Sequence, residues 1–325
     1  RPRTLHTINP VQRGRIETPL ATGVRAIDSC LTIGKGQKIG IFAGSGVGKS
    51  ILLGMVARGT AADINVIALI GERGKEVREF LENDLGPEGL KRSVVVVVTS
   101  DESPLKRLRA AHLATGIAAN FRGEGKQVLL MMDSLTRVAH AQRELGLAVG
   151  EPPTSRGYPP SVFAVLPQLL EQAGPTDTGA VTGIYTVLVE GDDFNEPVAD
   201  LARSILEGHI VLSRELANGG HYPAIDVLES LSRCFAQIAT KEQRDHASEL
   251  RATLAAYKEV KDLVQIGAYR PGTNREIDTV LAKLPAIQGF LRQRMDEGSA
   301  LALTLNALKT VATQVPAPVA AGGGK

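Results

Sequence analysis

The chain has 325 residues, of which 43% are hydrophobic, so it can bury the core of one large domain or two medium ones. Its 37 basic and 35 acidic residues nearly cancel, and this balance argues against a basic surface for nucleic acid. Aromatic residues make up only 4% and tryptophan is absent, which argues against stacking platforms for single strands. Cys30 and Cys234 lack the spacing of metal ligands, and we expect two reduced, buried thiols.

Short apolar runs alternate with helical patterns through most of the chain. Residues 1–25 are irregular and polar, and we predict a linker segment there. Buried strands are predicted at 38–43, 65–70, 94–98, 128–132, 183–189 and 209–212. Helices are predicted at 49–59, 75–83, 103–121, 136–145, 161–173 and 197–206. The alternation predicts an α/β fold whose mostly parallel sheet has helices on both faces.

Five consecutive valines, Val94 to Val98, form the third of these apolar runs. β-Branched side chains on both faces are typical of a central strand that is covered on two sides. The sequence therefore predicts an interior position for this strand.

The pattern changes after about residue 235. From Asp245 onward, apolar residues recur at helical spacing, and further helical patterns follow at 275–296 and 297–312. We predict an α/β domain at 26–235 and a small all-helical domain at 236–312. The remaining residues, 313–325, are rich in proline, alanine and glycine, so we expect a disordered tail.

The run A-G-S-G-V-G-K-S at 43–50 joins the strand predicted at 38–43 to the helix predicted at 49–59. This context is typical of a phosphate-binding loop, whose backbone N–H groups and helix N-terminus bind the anion. Ala43 replaces the usual first glycine, where a small residue is sufficient. Lys49 can reach the β- and γ-phosphates of ATP, and Ser50 can ligate Mg²⁺. The predicted nucleotide-binding residues of this run are Gly44, Ser45, Gly46, Val47, Gly48, Lys49, Ser50 and Ile51.

Two carboxylates follow predicted strands at what should be the same edge of the sheet. Asp133 ends the run V-L-L-M-M-D, at the place where P-loop NTPases bind Mg²⁺, often through water. Glu72 follows the strand at 65–70, at the carboxyl edge where open α/β sheets bind ligands. Glu72 could polarise the water that attacks the γ-phosphate. Each residue, taken alone, could equally be a solvated charge at the end of a strand.

Seven runs occur in order along the chain: G-S-G-V-G-K-S at 44–50, G-E-R at 71–73, L-L-M-M-D-S-L-T-R at 129–137, G-E-P-P-T-S-R-G-Y-P-P-S-V-F at 150–163, V-E-G-D-D-F-N-E-P at 189–197, G-H-I-V-L-S-R at 208–214 and H-Y-P-A-I-D-V-L-E-S-L-S-R at 221–233. Together they closely resemble the export ATPases of flagellar and virulence-associated type III secretion systems, over about residues 15–312. That family is similar to the catalytic subunit of rotary ATP synthases. The resemblance implies a RecA-like P-loop core that hydrolyses ATP with Mg²⁺ as its cofactor.

The resemblance also implies roles for individual residues. Glu72 matches the family's catalytic carboxylate, and a glutamate rather than a glutamine there implies hydrolysis. Arg73 and Arg137 match basic residues at the phosphate site, which act beside Lys49. Arg233 matches an arginine finger presented to the nucleotide of the neighbouring subunit, and Tyr222 matches the aromatic residue that packs against adenine. From the residues alone, Tyr222 reads as a core aromatic and Arg233 as a surface charge.

The same resemblance implies a hexameric ring with a stalk protein at its centre and a regulatory protein attached. Export substrates and their chaperones would be further partners, and nucleic acid would not be one. The protein is then expected in the cytoplasm, peripheral to the inner membrane at an export gate. The family's N-terminal β-barrel has no room before residue 25, and the tail after Ala312 has no counterpart. We therefore expect a truncated fragment of a family member, which could be a monomer rather than a hexamer.

Other classes of protein stay open beside this one. A hexameric RNA motor such as a transcription terminator would need basic, aromatic-bearing central loops, and the near-neutral charge counts against it. A nucleotide-binding subunit without hydrolysis is disfavoured by Glu72. Within the family, the run at 20–53 favours the flagellar branch, and the injectisome branch is the alternative.

Overall fold

The computed structural model describes residues 14–189, 191 and 193–314. The predicted linker at 1–25 lies partly outside these residues, and the predicted tail at 313–325 lies almost wholly outside them.

Strands and helices alternate along the described chain, as the apolar runs predict. The strands are β1 (Pro19–Leu20), β2 (Ile33–Gly34), β3 (Lys38–Ala43), β4 (Ile64–Ile70), β5 (Ser93–Val98), β6 (Gln127–Asp133), β7 (Gly174–Pro175), β8 (Ala180–Leu188), β9 (Gly208–Leu212) and β10 (Ile225–Ser232). The helices up to residue 170 are α1 (Arg25–Cys30), α2 (Lys49–Gly59), α3 (Gly74–Glu79), α4 (Gly86–Lys91), α5 (Pro104–Gly123), α6 (Leu135–Ala148) and α7 (Pro160–Leu170). The later helices are α8 (Pro197–Ile205), α9 (Arg214–Asn218), α10 (Phe235–Ile238), α11 (Lys241–Gln265), α12 (Arg275–Leu291) and α13 (Leu301–Thr313).

One large sheet has the strand order β10-β9-β3-β8-β6-β4-β5, with β7 paired to β8. The neighbours from β9 to β5 are all parallel, whereas β10 and β7 pair antiparallel. Parallel neighbours require crossover connections, which the intervening helices supply. The predicted α/β fold with a mostly parallel sheet is confirmed.

Both faces of this sheet are buried, because alternate residues of each inner strand enter different cores. Ile39 and Ile41 of β3 lie in one apolar core, whereas Phe42 lies in the other. In β6, Met131 lies in the first core and Met132 in the second. Side chains two residues apart share a face of a strand, so this alternation defines a sheet that is covered on both sides.

The prediction that the valine strand is central is wrong. β5 is the end strand of the sheet and pairs only with β4 among the described strands. All its residues are partly exposed, and the side chain of Val97 is 40% exposed. The five valines fit a pleated strand, but its place in the sheet depends on the crossovers, which composition does not encode.

Two further local predictions need correction. The helix predicted at 75–83 is broken into α3, a π-helical segment Phe80–Leu85 and α4. Gly86 adopts φ +64, a left-handed conformation that ends the segment. β10 lies outside the predicted strands, although its first four residues, Ile225 to Leu228, alternate between buried and partly exposed.

The π-helical segment packs tightly on α2. A Cβ atom at Gly54 would lie 2.5 Å from the carbonyl oxygen of Asp84, so only glycine permits this approach. The backbone of α2 is therefore in direct contact with the segment that follows the β4 end.

The C-terminal helices α11, α12 and α13 pack on one another and on α1, and they contribute to the first core through residues such as Leu250, Phe290 and Leu308. They are also joined to the sheet region by polar contacts. The Gln293 backbone N–H donates to the carbonyl of Tyr222 at 2.9 Å. The Arg251 guanidinium donates to the carbonyl of Ser230 at 3.1 Å, so α11 covers the outer side of β10.

Candidate active site

The glycine-rich run forms a loop between β3 and α2, as predicted. Gly46 and Gly48 adopt φ +78 and +90, left-handed conformations in which a β-carbon would be strained. Gly48 is also the N-cap of α2, so the loop backbone runs directly into a helix N-terminus. This arrangement can bind an anion through backbone N–H groups and the helix dipole.

The loop residues do not all face the same way. Gly44, Ser45, Gly46, Gly48, Lys49, Ser50 and Ile51 line a cleft of about 1040 Å³ at the carboxyl edge of the sheet. The side chain of Val47 is only 2% exposed and packs in the first core. Val47 can therefore serve a ligand only through its backbone.

The Lys49 ammonium lies between the two predicted carboxylates. Its Nζ is 2.5 Å from Asp133 Oδ1 and 3.2 Å from Glu72 Oε1. The hydroxyl of Thr186, on β8, donates to the same Asp133 oxygen at 2.6 Å. These residues come from α2 and from the ends of β4 and β6, so the shared sheet edge brings them together as the sequence predicts.

Burial and charge together shift the pKa values of this group. Burial raises the pKa of Glu72 to about 7, the negative charge of Asp133 adds to the rise, and Lys49 partly offsets it. For Lys49, burial alone would lower the pKa, but the carboxylates of Asp133 and Glu72 outweigh it and hold the pKa above its ordinary value. Lys49 is thus a fixed positive charge, whereas Glu72 can exchange a proton near neutral pH.

Arg137, at the start of α6, also lines the cleft. Its Nε is buried and has no hydrogen-bond partner among the described residues, which is unusual for a buried donor and suits a group that binds an anionic ligand. Gly71 makes room for it: Gly71 adopts φ +74, and a Cβ there would lie 2.9 Å from the Arg137 Cβ. Arg73 lines the cleft as well, with a side chain that is 82% exposed.

Tyr222 stands at the mouth of the cleft with 43% of its surface exposed. Its ring faces the phosphate loop, since a Cβ at Gly48 would lie 3.4 Å from the Tyr222 Cε1. An exposed aromatic face beside a phosphate-type loop can stack on a flat ring such as a purine. The alternative reading of Tyr222 as a core aromatic is excluded by this exposure.

Arg233 does not line the cleft. It follows β10, and its backbone N–H donates to the carbonyl of Glu207, just before β9 begins. Ser232 pairs with Gly208 at the first residue of β9, whereas the phosphate loop follows the last residue of β3. Arg233 therefore lies at the opposite edge of the sheet from Lys49.

Sequence reasoning missed three polar residues around the site. Thr186 orients Asp133, Arg214 lines the cleft and donates to the Ser45 carbonyl at 3.2 Å, and Glu76 lies on the cleft wall near Glu72. Arg214 is the last residue of the family motif at 208–214, so the motif could have identified it as a site residue. Thr186 carried none, because a threonine within a strand reads as ordinary β-propensity.

The donors near Lys49 fit a magnesium ion. Ser50 lines the cleft and Asp133 lies behind Lys49, so a hydroxyl and a carboxylate flank the phosphate loop. Mg²⁺ prefers such hard oxygen ligands and commonly takes one or two from the protein, with phosphates and water completing its shell.

The comparisons with known proteins agree with this geometry. The family model of the ATP synthase alpha/beta family, nucleotide-binding domain, matches residues 23–232, more than half of the chain. The model of the T3SS EscN ATPase C-terminal domain matches residues 239–310. The fold and the site thus define a P-loop ATPase of the ATP synthase type. More particularly, the chain belongs to the family of flagellar and type III secretion ATPases, which confirms the resemblance drawn from its motifs.

Curated relatives come from both branches of this family. The flagellum-specific ATP synthase of Bacillus subtilis is 57% identical over 93% of the chain and 69% of the relative. The type 3 secretion system ATPase of Xanthomonas euvesicatoria is 55% identical over 93% and 69%. The flagellum-specific ATP synthase of Salmonella typhimurium is 52% identical over 93% and 67%. The chain spans about two thirds of the length of these relatives.

Solved structures give the same assignment. A prototypical ATPase from the type III secretion system of pathogenic bacteria superposes with a TM-score of 0.90 at 50% identity, over 95% of this chain and 90% of the other. The assembled ATPase EscN of enteropathogenic E. coli gives a TM-score of 0.91 at 51% identity, over 95% and 76%. Within the described part of the chain, every helix is too short or too polar to span a membrane.

Proposed function

We propose that the chain hydrolyses ATP as one subunit of a ring that energises protein export through a flagellar apparatus. One observation supports this proposal most directly. Lys49, at the end of the phosphate loop, contacts the carboxylates of both Glu72 and Asp133 through its ammonium group. A lysine that reaches phosphates, beside one carboxylate for the metal and one for water, is the machinery of nucleotide hydrolysis.

Each residue of the cleft has a role in this reaction. The backbone N–H groups of 44–50 and the Lys49 ammonium bind the phosphates, and Arg137 and Arg73 add positive charge beside them. Glu72, in its ionised form, accepts a hydrogen bond from the attacking water and orients it. Tyr222 packs against the base. Charge that develops on the transferring phosphoryl group meets donors already held in place, which lowers the barrier.

Mg²⁺ is the cofactor we propose, held by Ser50 and Asp133, the latter through water. When bound, it neutralises charge on the β- and γ-phosphates. Thr186 fixes the Asp133 carboxylate through its hydroxyl, so the carboxylate is already oriented.

Arg233 completes the site of a neighbouring protomer in this proposal. Its distance from Lys49 within one chain supports that assignment, because the two lie at opposite edges of one sheet. A relative, EscN, has been solved as an assembled ATPase and in complex with its central stalk EscO. By analogy, we propose a hexamer around a stalk protein for the full-length form of this chain.

The remaining partners follow from the family. They are a regulatory protein, export substrates with their chaperones, and an export gate at the cytoplasmic face of the inner membrane, and nucleic acid is not among them. The first family model ends at residue 232 and the second begins at residue 239. These limits support the proposed division into an ATPase domain at 26–235 and a helical domain at 236–312. Relatives of both branches match, and we favour the flagellar branch, with the injectisome as the alternative.

The test is the rate of ATP hydrolysis per subunit against protein concentration, with Mg²⁺ present, for the wild type, Glu72→Gln and Arg233→Ala. We expect a rate that rises with concentration and that both variants lose. Arg275→Ala, an exposed arginine on α12, is the matched control and should keep the wild-type rate. A rate that is independent of concentration and survives Arg233→Ala would refute the shared site.

The branch is tested in cells. Replacing the gene with one that encodes Glu72→Gln should abolish flagellar filaments and motility. Loss of secreted virulence proteins with intact motility would instead assign the chain to the injectisome.

A further inference from the structure

The outer edge of β5 carries backbone groups that have no partner within residues 14–189, 191 and 193–314. Asn65 and Gly71 donate to the carbonyls of Arg92 and Val98, so these carbonyls face β4. Because backbone groups alternate sides along a strand, those of Val95 and Val97 face away from β4. No hydrogen bond to the backbone of either residue comes from elsewhere in the described chain. Such an edge is a template for a further strand.

The other end of the sheet is protected. α11 runs beside β10, and its Arg251 donates to the carbonyl of Ser230. In the part of the chain that the structure describes, a helix packs against one end of the sheet, whereas the backbone at the other end stays unpaired. Proteins generally blunt free edges, so an open one bordered by apolar side chains is typical of a binding surface.

A groove of about 610 Å³ lies between β5 and α5. We call it the β5–α5 groove, and its lining includes Val97, Val98, Glu102, Lys106, Arg109 and Leu113. Val97 and Leu113 are 40% and 57% exposed. Leu105, one turn before Arg109 on α5, is also 45% exposed and extends the apolar surface.

The charge of the groove is positive. Lys106 pairs with Glu102 at 2.7 Å, so these two charges cancel. Arg109 is exposed and has no ion-pair partner among the described residues. A ligand that carries a carboxylate beside Arg109 would therefore be favoured over a neutral or basic one.

We propose that the β5–α5 groove binds an extended acidic peptide segment of another protein, which adds a strand to β5. Alternate side chains of the segment would be apolar and enter the groove beside Leu113, and a carboxylate would meet Arg109. The backbone groups of Val95 and Val97 would then be paired, which a helical ligand cannot achieve.

A second copy of the chain fits this edge less well. Its large sheet has one open end, β5 itself, since β10 is covered by α11 within the described residues. The separate sheet of β1 and β2 has only two residues in each strand. Among the described strands, a second copy could therefore offer only its own β5, and Ser93–Val98 carries no carboxylate to meet Arg109, so we assign the added strand to a different polypeptide.

The test is selection from a phage library of random peptides of about ten residues, enough to span one strand. Peptides are selected on the wild-type protein, with counter-selection on Leu113→Asp. The matched control is Leu303→Asp, since Leu303 on α13 is 66% exposed and far from the groove in sequence. The best peptide is then synthesised with and without N-methyl groups on alternate backbone nitrogens, and its affinity is measured by fluorescence anisotropy.

We expect enriched sequences with apolar residues at every second position and at least one acidic residue. Leu113→Asp, Arg109→Glu and backbone N-methylation should each weaken binding about tenfold or more, and Leu303→Asp should not. Enrichment of nothing, or of sequences with helical spacing, would overturn the proposal, as would equal binding to Leu113→Asp. Sedimentation velocity supplies a further check, because loss of self-association in Leu113→Asp would assign the groove to a second copy instead.

Discussion

Arg233 and Lys49 lie at opposite edges of the same sheet. The backbone N–H of Arg233 donates to the carbonyl of Glu207. The backbone N–H of Glu207 donates to the carbonyl of Lys38, at the start of β3. Lys49 follows the loop at the other end of this six-residue strand. A strand of that length separates its ends by about 20 Å, so the two residues cannot act on one phosphate within a protomer. A site that uses both must be built head to tail, and such contacts form a ring where the rotation between subunits closes.

The first prediction concerns mixed assemblies. Glu72→Gln and Arg233→Ala should each be inactive alone, yet mixing equal amounts should restore activity. About one quarter of random interfaces would join an intact Glu72 to an intact Arg233 from the neighbour. The measurement is the rate of ATP hydrolysis in the mixture, with each variant alone as a control. If the mixture is no faster than its components, the two residues do not serve one shared site.

The second prediction separates chemistry from binding at Glu72. Glu72→Gln keeps the size of the side chain but cannot act as a base, so we expect hydrolysis to fall about 10²- to 10⁴-fold. Binding of a fluorescent ATP analogue should change little, because Lys49 and the phosphate loop are retained. Asp133→Asn, by contrast, should raise the Mg²⁺ concentration needed for half-maximal activity, which titration with the metal would detect.

The third prediction is a pH profile. The pKa of Glu72 is raised to about 7, mainly by burial. In the proposed mechanism, the ionised form of Glu72 orients the attacking water. The kcat/KM for ATP should therefore rise with pH up to about 7 and level off above it, since kcat/KM reports groups of the free enzyme. Steady-state rates from acid to mildly alkaline pH test this. The inflection should vanish in Glu72→Gln, and its persistence there would assign it to another group.

The fourth prediction concerns Gly71. Alanine there would meet Arg137 at 2.9 Å and would hold a left-handed φ of +74. We expect a loss of about 1–2 kcal/mol in unfolding free energy. We also expect a fall of about tenfold or more in kcat, because Arg137 is displaced. Gly74→Ala is the matched control: it lies at the start of α3 with open space around it, and should be neutral in both measurements. Equal effects of the two changes would remove the role given to Arg137.

The fifth prediction concerns Asp28, a buried carboxylate that accepts hydrogen bonds from Thr22 and Gly23. Burial outweighs these bonds and raises its pKa from 3.8 to about 6. The folded protein therefore binds more protons than the unfolded chain between these values, and stability falls as pH rises through that window. The free energy of unfolding of the wild type, relative to Asp28→Asn, should drop by up to about 3 kcal/mol from pH 4 to pH 7. Urea unfolding at several pH values measures it, and a constant difference would contradict the shift.

Much of the fold follows from local sequence. The strand at 38–43 and the helix at 49–59 are found with their predicted bounds, because an apolar strand, a glycine loop and a helical pattern all agree there. The interior position predicted for 94–98 fails, because valines suit an edge strand and a central strand equally. Strand order is set by crossovers between distant segments, and no local pattern records it.

The sequence likewise predicts only part of the candidate site. That Lys49, Glu72 and Asp133 meet could be predicted, since each follows a strand at one sheet edge. The hydrogen bond from Thr186 to Asp133 could not, because it depends on the register of β8 against β6. The place of Tyr222 beside the nucleotide could be predicted only from the family resemblance, because residue spacing alone does not indicate it.

Gly54 and Gln293 have a joint consequence for how the cleft can move. At Gly54, the backbone of α2 lies directly against Asp84, so the helix that follows the phosphate loop packs on the segment that follows Glu72. On the other wall, the carbonyl of Tyr222 accepts a hydrogen bond from the backbone N–H of Gln293, just after α12. This bond links Tyr222 to the C-terminal helices. We therefore expect opening and closing of the cleft to change the gap between Tyr222 and the loop more than the distances among Lys49, Glu72 and Asp133. A force applied to the C-terminal helices is then expected to reach the Tyr222 wall of the cleft before it reaches the wall that holds Lys49, Glu72 and Asp133.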